Sequence, residues 1–331
     1  MAFEKVSPQH VDKMCDRLAG AIVDLAYSKE KNPRIAVEVL AGHGKVFIII
    51  ETSLSREQLS CAEIDPIVWR IFGNDVEINV TIVPQDPILA HNQDNGMRVA
   101  DNGLFRGVPP THEQKLLTAI AASIYEQHPS DGKYIIHTDI PYDTGILDAI
   151  LKEKGYNPAK ATPKETREIS DEYERRIWKL ATTNVTVCQS HVSNEECFPL
   201  LEHLHNNYGI NNVSINPLGE WTGGPNTDSG ATNRKLGSDM GDGVTGGGLH
   251  GKDLSKGDVS INIVCFLKAV QSGQTVTACC SIGDEHVTFQ YASGKTETET
   301  FADVVKMARL YIMTDCGGSF ERFSEWGLLR P

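Results

Sequence analysis

Between Gly223 and Asp258 the chain reads GGPNTDSGATNRKLGSDMGDGVTGGGLHGKDLSKGD. Four cations, Arg234, Lys235, Lys252 and Lys256, stand among Asp228, Asp239, Asp242, Asp253 and Asp258. Eleven of the molecule's 29 glycines fall in this stretch, which has no apolar period. A polar segment so rich in glycine is either disordered or folded around a guest that approaches its backbone closely. Clustered cations mixed with carboxylates are not the composition of a flexible linker. Phosphate with a metal ion suits the pattern. Glycine backbone N–H groups cradle phosphate oxygens, lysine and arginine neutralise them, and aspartates hold a bridging magnesium ion. The stretch reads as the centre of a nucleotide site.

Gly246 to Lys252 also fits GxxxxGK, the phosphate-binding loop of NTPases. Asp253 stands where that motif needs Ser or Thr, and the polar run Leu236 to Gly243 cannot supply the preceding buried strand. A phosphotransferase or NTPase built on this loop is therefore disfavoured. Elsewhere, His10, Asp12 and Lys13 occupy one helix start, offering a hydrogen-bond donor, a metal ligand and a cation at a positive helix end. Glu38 and Glu51 lie in β-rich runs beside Ala36, Val37, Ile49 and Ile50, where an unpaired carboxylate is costly. Asp131-Gly132-Lys133 is a turn that places an acid and a base two residues apart.

The elements that must position these residues are legible in outline. Met14, Cys15, Leu18, Ile22 and Leu25 recur at helical spacing from Val11, and the helix ends before Asn32-Pro33. Arg34 to Leu40 and Lys45 to Thr52 form a hairpin around Ala41-Gly42-His43-Gly44. A capping box at Ser55 to Gln58 predicts a helix to about Phe72, and Glu77 to Val83 a strand. Pro84 to Pro110 reads as one long loop. Capping boxes at Thr111 and Thr162 open further helices, the latter in a region of solvated charge. Strands are expected over 133–137, 184–188, 213–216, 275–281 and 285–291, with helices over 195–207 and 301–313. Ser255 to Asp258 reads as a box opening a helix from about Val259 to Val270, whose positive end would face the glycine-rich loop. Hairpin then helix occurs near residue 40, less clearly after 184 and again after 275, a weak threefold repeat.

Composition bounds the rest. A chain of 331 residues suggests two or three domains. A net charge of -13 argues against a nucleic-acid partner. MAFEKVSPQHVDK lacks a signal-peptide layout, and the apolar run Val46 to Ile50 is too short to span a bilayer, so a cytoplasmic protein without membrane attachment is expected. The eight cysteines show no CxxC pair and read as reduced core thiols.

Taken together, His10-Val11-Asp12-Lys13, Asp101-Asn102-Gly103, Gly223 to Gly230, Thr232 to Lys235, Gly246-Gly247-Gly248 and Gly251 to Asp258 resemble S-adenosylmethionine synthetase (methionine adenosyltransferase). Their order matches, and similarity runs from about residue 7 to the C-terminus. The resemblance implies joining ATP and L-methionine: sulfur displaces triphosphate from C5′, and the triphosphate is then hydrolysed to pyrophosphate and phosphate. An ATP-binding regulatory subunit without turnover is the alternative. It implies catalytic roles for His10, Lys252 and Arg234, and ATP or phosphate contacts from Lys13, Asp101, Asp131, Lys133, Trp221, Arg234, Lys235, Lys252 and Lys256. Methionine would meet Glu51, Gln85, Asp228 and Lys256. Magnesium would lie on Asp12 and Asp258, and potassium on Glu38.

The resemblance also implies an α+β fold of three interlaced domains with pseudo-threefold symmetry, each a mostly antiparallel sheet with helices on one face. The first domain would take residues 1–10 and about 111–220, the second about 11–85 and 221–272, and the third about 273–331. A gating loop and connection would occupy 85–110. Homodimers, and tetramers built from them, would place active sites between subunits. Val11 and Asn102 replace the proline and glutamine usual in the family. The chain is shorter overall but longer between Lys133 and Val187.

Overall fold

The computed structural model describes residues 2–94, 97–139, 145–157, 160–180 and 182–331. β1 (Ala2–Val6) leads into α1 (Val11–Lys29), followed by β2 (Ile35–Gly42), β3 (Lys45–Thr52), α2 (Cys61–Phe72) and β4 (Glu77–Pro84). Next come α3 (Pro87–Asp94), β5 (Gly103–Gly107), α4 (His112–Gln127), β6 (Gly132–Asp139), α5 (Gly145–Lys154), α6 (Pro163–Leu180) and β7 (Thr182–Gln189). α7 (Asn194–Tyr208), β8 (Asn212–Ile215), β9 (Ser229–Ala231) and α8 (Leu236–Met240) precede a 3₁₀ turn, Leu254–Lys256. The chain closes with α9 (Asp258–Ser272), β10 (Val276–Cys280), β11 (His286–Tyr291), β12 (Thr296–Thr300), α10 (Phe301–Asp315) and α11 (Phe320–Trp326).

Three four-stranded sheets result, ordered β1-β6-β7-β8, β9-β2-β3-β4 and β5-β10-β11-β12. Each combines three strands consecutive in the chain with one edge strand from elsewhere. A helix precedes each trio: α4, α1 and α9 in turn. In the first two sheets the last pair is parallel and joined through a crossover helix, α7 or α2, as a parallel pair requires. In the third, β11 and β12 are antiparallel and adjacent, and the helix follows them. The architecture is α+β, and the repeat is faint in sequence because its third copy is wired differently. One core joins α1 and the second sheet to α9, α10 and the third sheet. Another lies between the first sheet and α4 and α7.

Several expectations are corrected. The segment Pro84 to Pro110 is not one loop, since it holds α3 and β5. β5 pairs with β10, and Phe105 is driven into the core. α9 packs on this third sheet as well, so β5 and α9 join strands that the sequence reading kept apart from them. The Ser55 box forms its bonds with Gln58 but closes only a turn, and α2 starts after Ser60. The Ser255 box does not form. Ser255 N donates to Asp253 Oδ1 at 2.8 Å, and Gly257, at φ 98°, separates that turn from α9. Cys15, Cys265, Cys280 and Cys316 are buried thiols, but Cys61 and Cys279 are exposed.

After β6 the pair α5 and α6 packs Ile146 and Ile150 against Ile169 and Tyr173. The C-terminus is fastened by Lys5, whose fully buried Nζ donates to Ser238 O at 2.7 Å, Leu329 O at 2.8 Å and Trp326 O at 3.0 Å. Three N–H bonds thus meet three carbonyls. Among the described residues no helix is long and apolar enough to cross a membrane.

Candidate functional site

The site is built where the N-terminus of α1 meets the glycine-rich segment. His10 is the N-cap of α1, and its Nδ1 accepts from Asp12 N at 3.2 Å. A ring nitrogen that accepts from a backbone N–H carries no proton, so the neutral ring keeps its hydrogen on Nε2. Burial, helped by Lys235 and Lys133, pulls the imidazole pKa down to about 3. His10 is therefore an uncharged donor at neutral pH. Asp12 turns towards the opposite strand: its Oδ1 accepts from Ala231 N at 2.9 Å and lies 3.6 Å from Arg234 Nη1. Gly230 permits this approach, because a Cβ there would stand 2.5 Å from Asp12 N.

Around this helix end lie Lys133, 3.5 Å from Asp228 Oδ2 and 5.5 Å from the centre of the Trp221 ring. Asp131 is buried, with Oδ2 accepting from Gly224 N at 2.9 Å and Oδ1 without a partner among the described residues. Burial raises its pKa to about 6. Asp228 resists its own burial, since Ser229 N–H and Lys133 hold its carboxyl below the usual value. Lys235 pairs with Glu4 at 2.7 Å.

β2 carries the second half of the site. Ala36 bridges to Lys252, Val37 N donates to Gly251 O, and Glu38 accepts the hydroxyl of Thr232. The strand thus aligns the Arg234 loop with the lysine loop. Lys252 Nζ donates to Asp258 Oδ2 at 2.7 Å and to the Gly247 carbonyl. Gly247 is required, as a Cβ would lie 2.3 Å from Asp258 Oδ1. Lys256 Nζ is 3.7 Å from Glu51 Oε2. Gln85 is buried beyond the end of β4. Five cations, Lys133, Arg234, Lys235, Lys252 and Lys256, therefore face carboxylates one to one. A polyanion entering here would have to take cations from those partners.

Two residues of the expected set stand apart. Asp101 folds back on its own chain, with Oδ1 accepting from Asn102 N at 2.7 Å. Lys13 points inward and is 1% exposed, with Nζ 2.7 Å from both Asp239 oxygens and 3.0 Å from Asp16 Oδ2. His250 Nε2 completes the group, 2.9 Å from Asp239 Oδ2, while its Nδ1 meets Ser324 Oγ at 3.1 Å. Asp16, Asp239 and His250 have the donor types of a metal site, but the ammonium of Lys13 fills the space between them and supplies the cation.

Sequence reasoning missed this cluster. Asp16 is one helical turn from Lys13, a signal that was available. Asp239 and His250 look like any loop residues until the fold buries them. It also missed Asn233, whose Oδ1 accepts from Leu249 N and His250 N at 2.8 and 2.9 Å, and whose own N–H donates to Asp16. Asn233 joins the two glycine-rich loops.

Known proteins resemble this chain in sequence and in fold. Residues 1–74 match the family "S-adenosylmethionine synthetase, N-terminal domain". The S-adenosylmethionine synthase of Mycoplasma mycoides subsp. mycoides is 26% identical over 288 residues, 79% of this chain and 70% of its own. That of Mesoplasma florum is 25% identical over 321 residues, 89% of this chain and 79% of its own. The solved structure of an unusual S-adenosylmethionine synthetase from Campylobacter jejuni shares the fold. Its TM-score is 0.66 at 18% identity, covering 99% of this chain and 94% of that one. The chain is thus similar to S-adenosylmethionine synthases along most of its length, and its residues 1–74 match the family model of the synthetase N-terminal domain.

Proposed function

We propose that the protein is a methionine adenosyltransferase that makes S-adenosylmethionine from ATP and L-methionine. The observation that carries this reading is the meeting of an uncharged, buried His10 with Lys133, Arg234 and Lys235 at one helix N-terminus, beside the Lys252–Asp258 pair. In the reaction a C5′–S bond forms as the C5′–O bond breaks, and the electron pair leaves on triphosphate. Water then cleaves the triphosphate to pyrophosphate and phosphate. His10 donates from Nε2 to the leaving oxygen as charge develops there. Arg234, Lys235, Lys252 and Lys256 hold the polyphosphate.

Trp221 and Lys133 flank the nucleoside, and Asp131 serves its polar edge. Glu51, Gln85, Asp228 and Lys256 hold methionine. The carboxylates of Asp12 and Asp258 are hard oxygen donors that fit magnesium, and Glu38 is the potassium candidate. When bound, such cations would neutralise phosphate charge and draw the two aspartates away from Arg234 and Lys252.

The exposed face of the second sheet supports a dimer. Leu40, Phe47 and Ile49 are 53, 44 and 54% exposed on the same face as Glu38 and Glu51. An apolar patch that surrounds site carboxylates marks a surface to be covered by a second copy.

Incubation with ATP, methionine, magnesium and potassium is expected to give S-adenosylmethionine, pyrophosphate and phosphate, and chelation of the divalent ion to abolish it. Methionine-independent triphosphate cleavage would count against the reading. ATP binding without product would favour a regulatory subunit. Because Asp131 is raised to about 6, its carboxylate protonates as pH falls through that value. kcat/KM for ATP should drop on that acid side, and the limb should be absent in Asp131→Asn. A limb unchanged in the variant would assign it to another group.

A further inference from the structure

One amide side chain joins the loop that carries Arg234 to the loop that carries Lys252. Asn233 Oδ1 accepts from Leu249 N at 2.8 Å and from His250 N at 2.9 Å, and its Nδ2 donates to His250 O at 3.3 Å. Its own backbone N–H donates to Asp16 Oδ1 of α1 at 2.8 Å. His250 is gripped a second time, because its Nε2 lies 2.9 Å from Asp239 Oδ2.

Both lone pairs of the Asn233 carbonyl and one of its N–H groups are thus spent on two consecutive residues of the second loop. A single bond would let that loop swing. Three bonds to adjacent peptide groups fix its position and its direction. The Asn233 backbone sits in the left-handed region, at φ 62°, which asparagine tolerates better than most residues. Gly248 lets the amide approach, since a Cβ there would stand 2.7 Å from Asn233 Cγ. Arg234 follows the amide directly, and Lys252 lies two residues beyond His250. Both loops also hang on β2, through Thr232 N to Val39 O and Val37 N to Gly251 O. Lys256 is held by other bonds: its turn is fixed by Asp253, which accepts from Ile35 N and Ser255 N, each at 2.8 Å.

We propose that Asn233 is a positioning residue: it makes the Arg234 loop and the Lys252 loop one unit, so that cations from two separate segments meet the same polyphosphate in a fixed register. This rests on the methionine adenosyltransferase reading above. Cations already in place need no reorganisation as charge develops on the leaving group. The carbonyl of Asn233 is fully occupied by protein N–H groups, so its effect passes through Arg234 and Lys252.

Asn233→Gly tests the joint, since glycine keeps the positive φ and removes only the amide. It should lower kcat about 10- to 100-fold while KM for methionine stays within about twofold. Affinity for tripolyphosphate with magnesium, read by calorimetry, should fall about tenfold. A double-mutant cycle separates positioning from a general loss of structure. In a Lys252→Met background Asn233→Gly should cost little further tripolyphosphate affinity, whereas in Lys256→Met it should cost the full factor.

Unchanged kcat and tripolyphosphate affinity in Asn233→Gly, or equal costs in the two lysine backgrounds, overturn the proposal. A parent enzyme that makes no S-adenosylmethionine sinks the underlying reading instead. The joint itself is then read by exchange of the Leu249 and His250 amide hydrogens, which should accelerate in Asn233→Gly. No acceleration refutes it.

Discussion

Lys13→Met should lower the unfolding free energy by about 3–5 kcal/mol, as expected when one partner of a buried ion pair is removed. Lys13 Nζ lies 3.0 Å from Asp16 Oδ2 and 2.7 Å from Asp239 Oδ1, and all three side chains are at most 1% exposed. Without it two carboxylates face each other in the core beside His250. Adding Asp239→Asn to Lys13→Met should recover part of the loss, since the uncompensated charge goes with it.

The pH dependence has a definite sign. Burial alone would raise Asp239, but Lys13 and His250 hold its carboxyl well below the ordinary 3.8. Its contribution is complete above that value and fades as the solution is acidified below it. Urea unfolding at pH 7 and pH 3 measures both effects. A Lys13 that served only bound phosphate would leave the stability of the free protein within about 0.5 kcal/mol, so a small loss would restore the role that resemblance assigned to it.

The second large effect is on turnover. His10→Ala should reduce kcat about 10²- to 10³-fold, the range for losing a preorganised donor to a developing oxyanion, while ATP affinity changes little. His10 also caps α1, and losing that cap costs about 1 kcal/mol. His10→Asn separates the roles, because asparagine caps well but cannot place a donor where the imidazole Nε2 stands. A fall in kcat shared by both variants reports the donor. A fall in Ala alone, or equal losses in kcat and ATP affinity, assigns His10 to structure. Since the imidazole titrates at about 3, the acid limb expected from Asp131 should persist in both variants.

These predictions depend on unequal kinds of legibility. α1, the β2–β3 hairpin and α4 were readable because each satisfies a local rule: an apolar period, a glycine turn or a capping box. β5, β9 and β12 were not. β9 spans only Ser229–Ala231 and exists because β2 offers it a partner, while β5, which ends at Gly107, finds β10, which begins at Val276. Strand pairing of that range leaves no local mark. The failed boxes at Ser55 and Ser255 show the same limit from the other side. The residues can make capping bonds, yet a later Ser60 or an intervening Gly257 decides where the helix begins.

What the sequence determined by itself was the chemistry on offer: glycines, cations and aspartates in one stretch, with His10 and Asp12 at a helix start. Local spacing sets which groups a segment can present, and composition sets their charge. The tertiary structure alone decided which of them meet and in what state. It sent Lys13 inward to Asp239, stripped His10 of its charge by burial, and aligned Thr232 and Lys252 along β2. Burial and pairing between distant segments cause these differences, and neither is a property of any one stretch of chain.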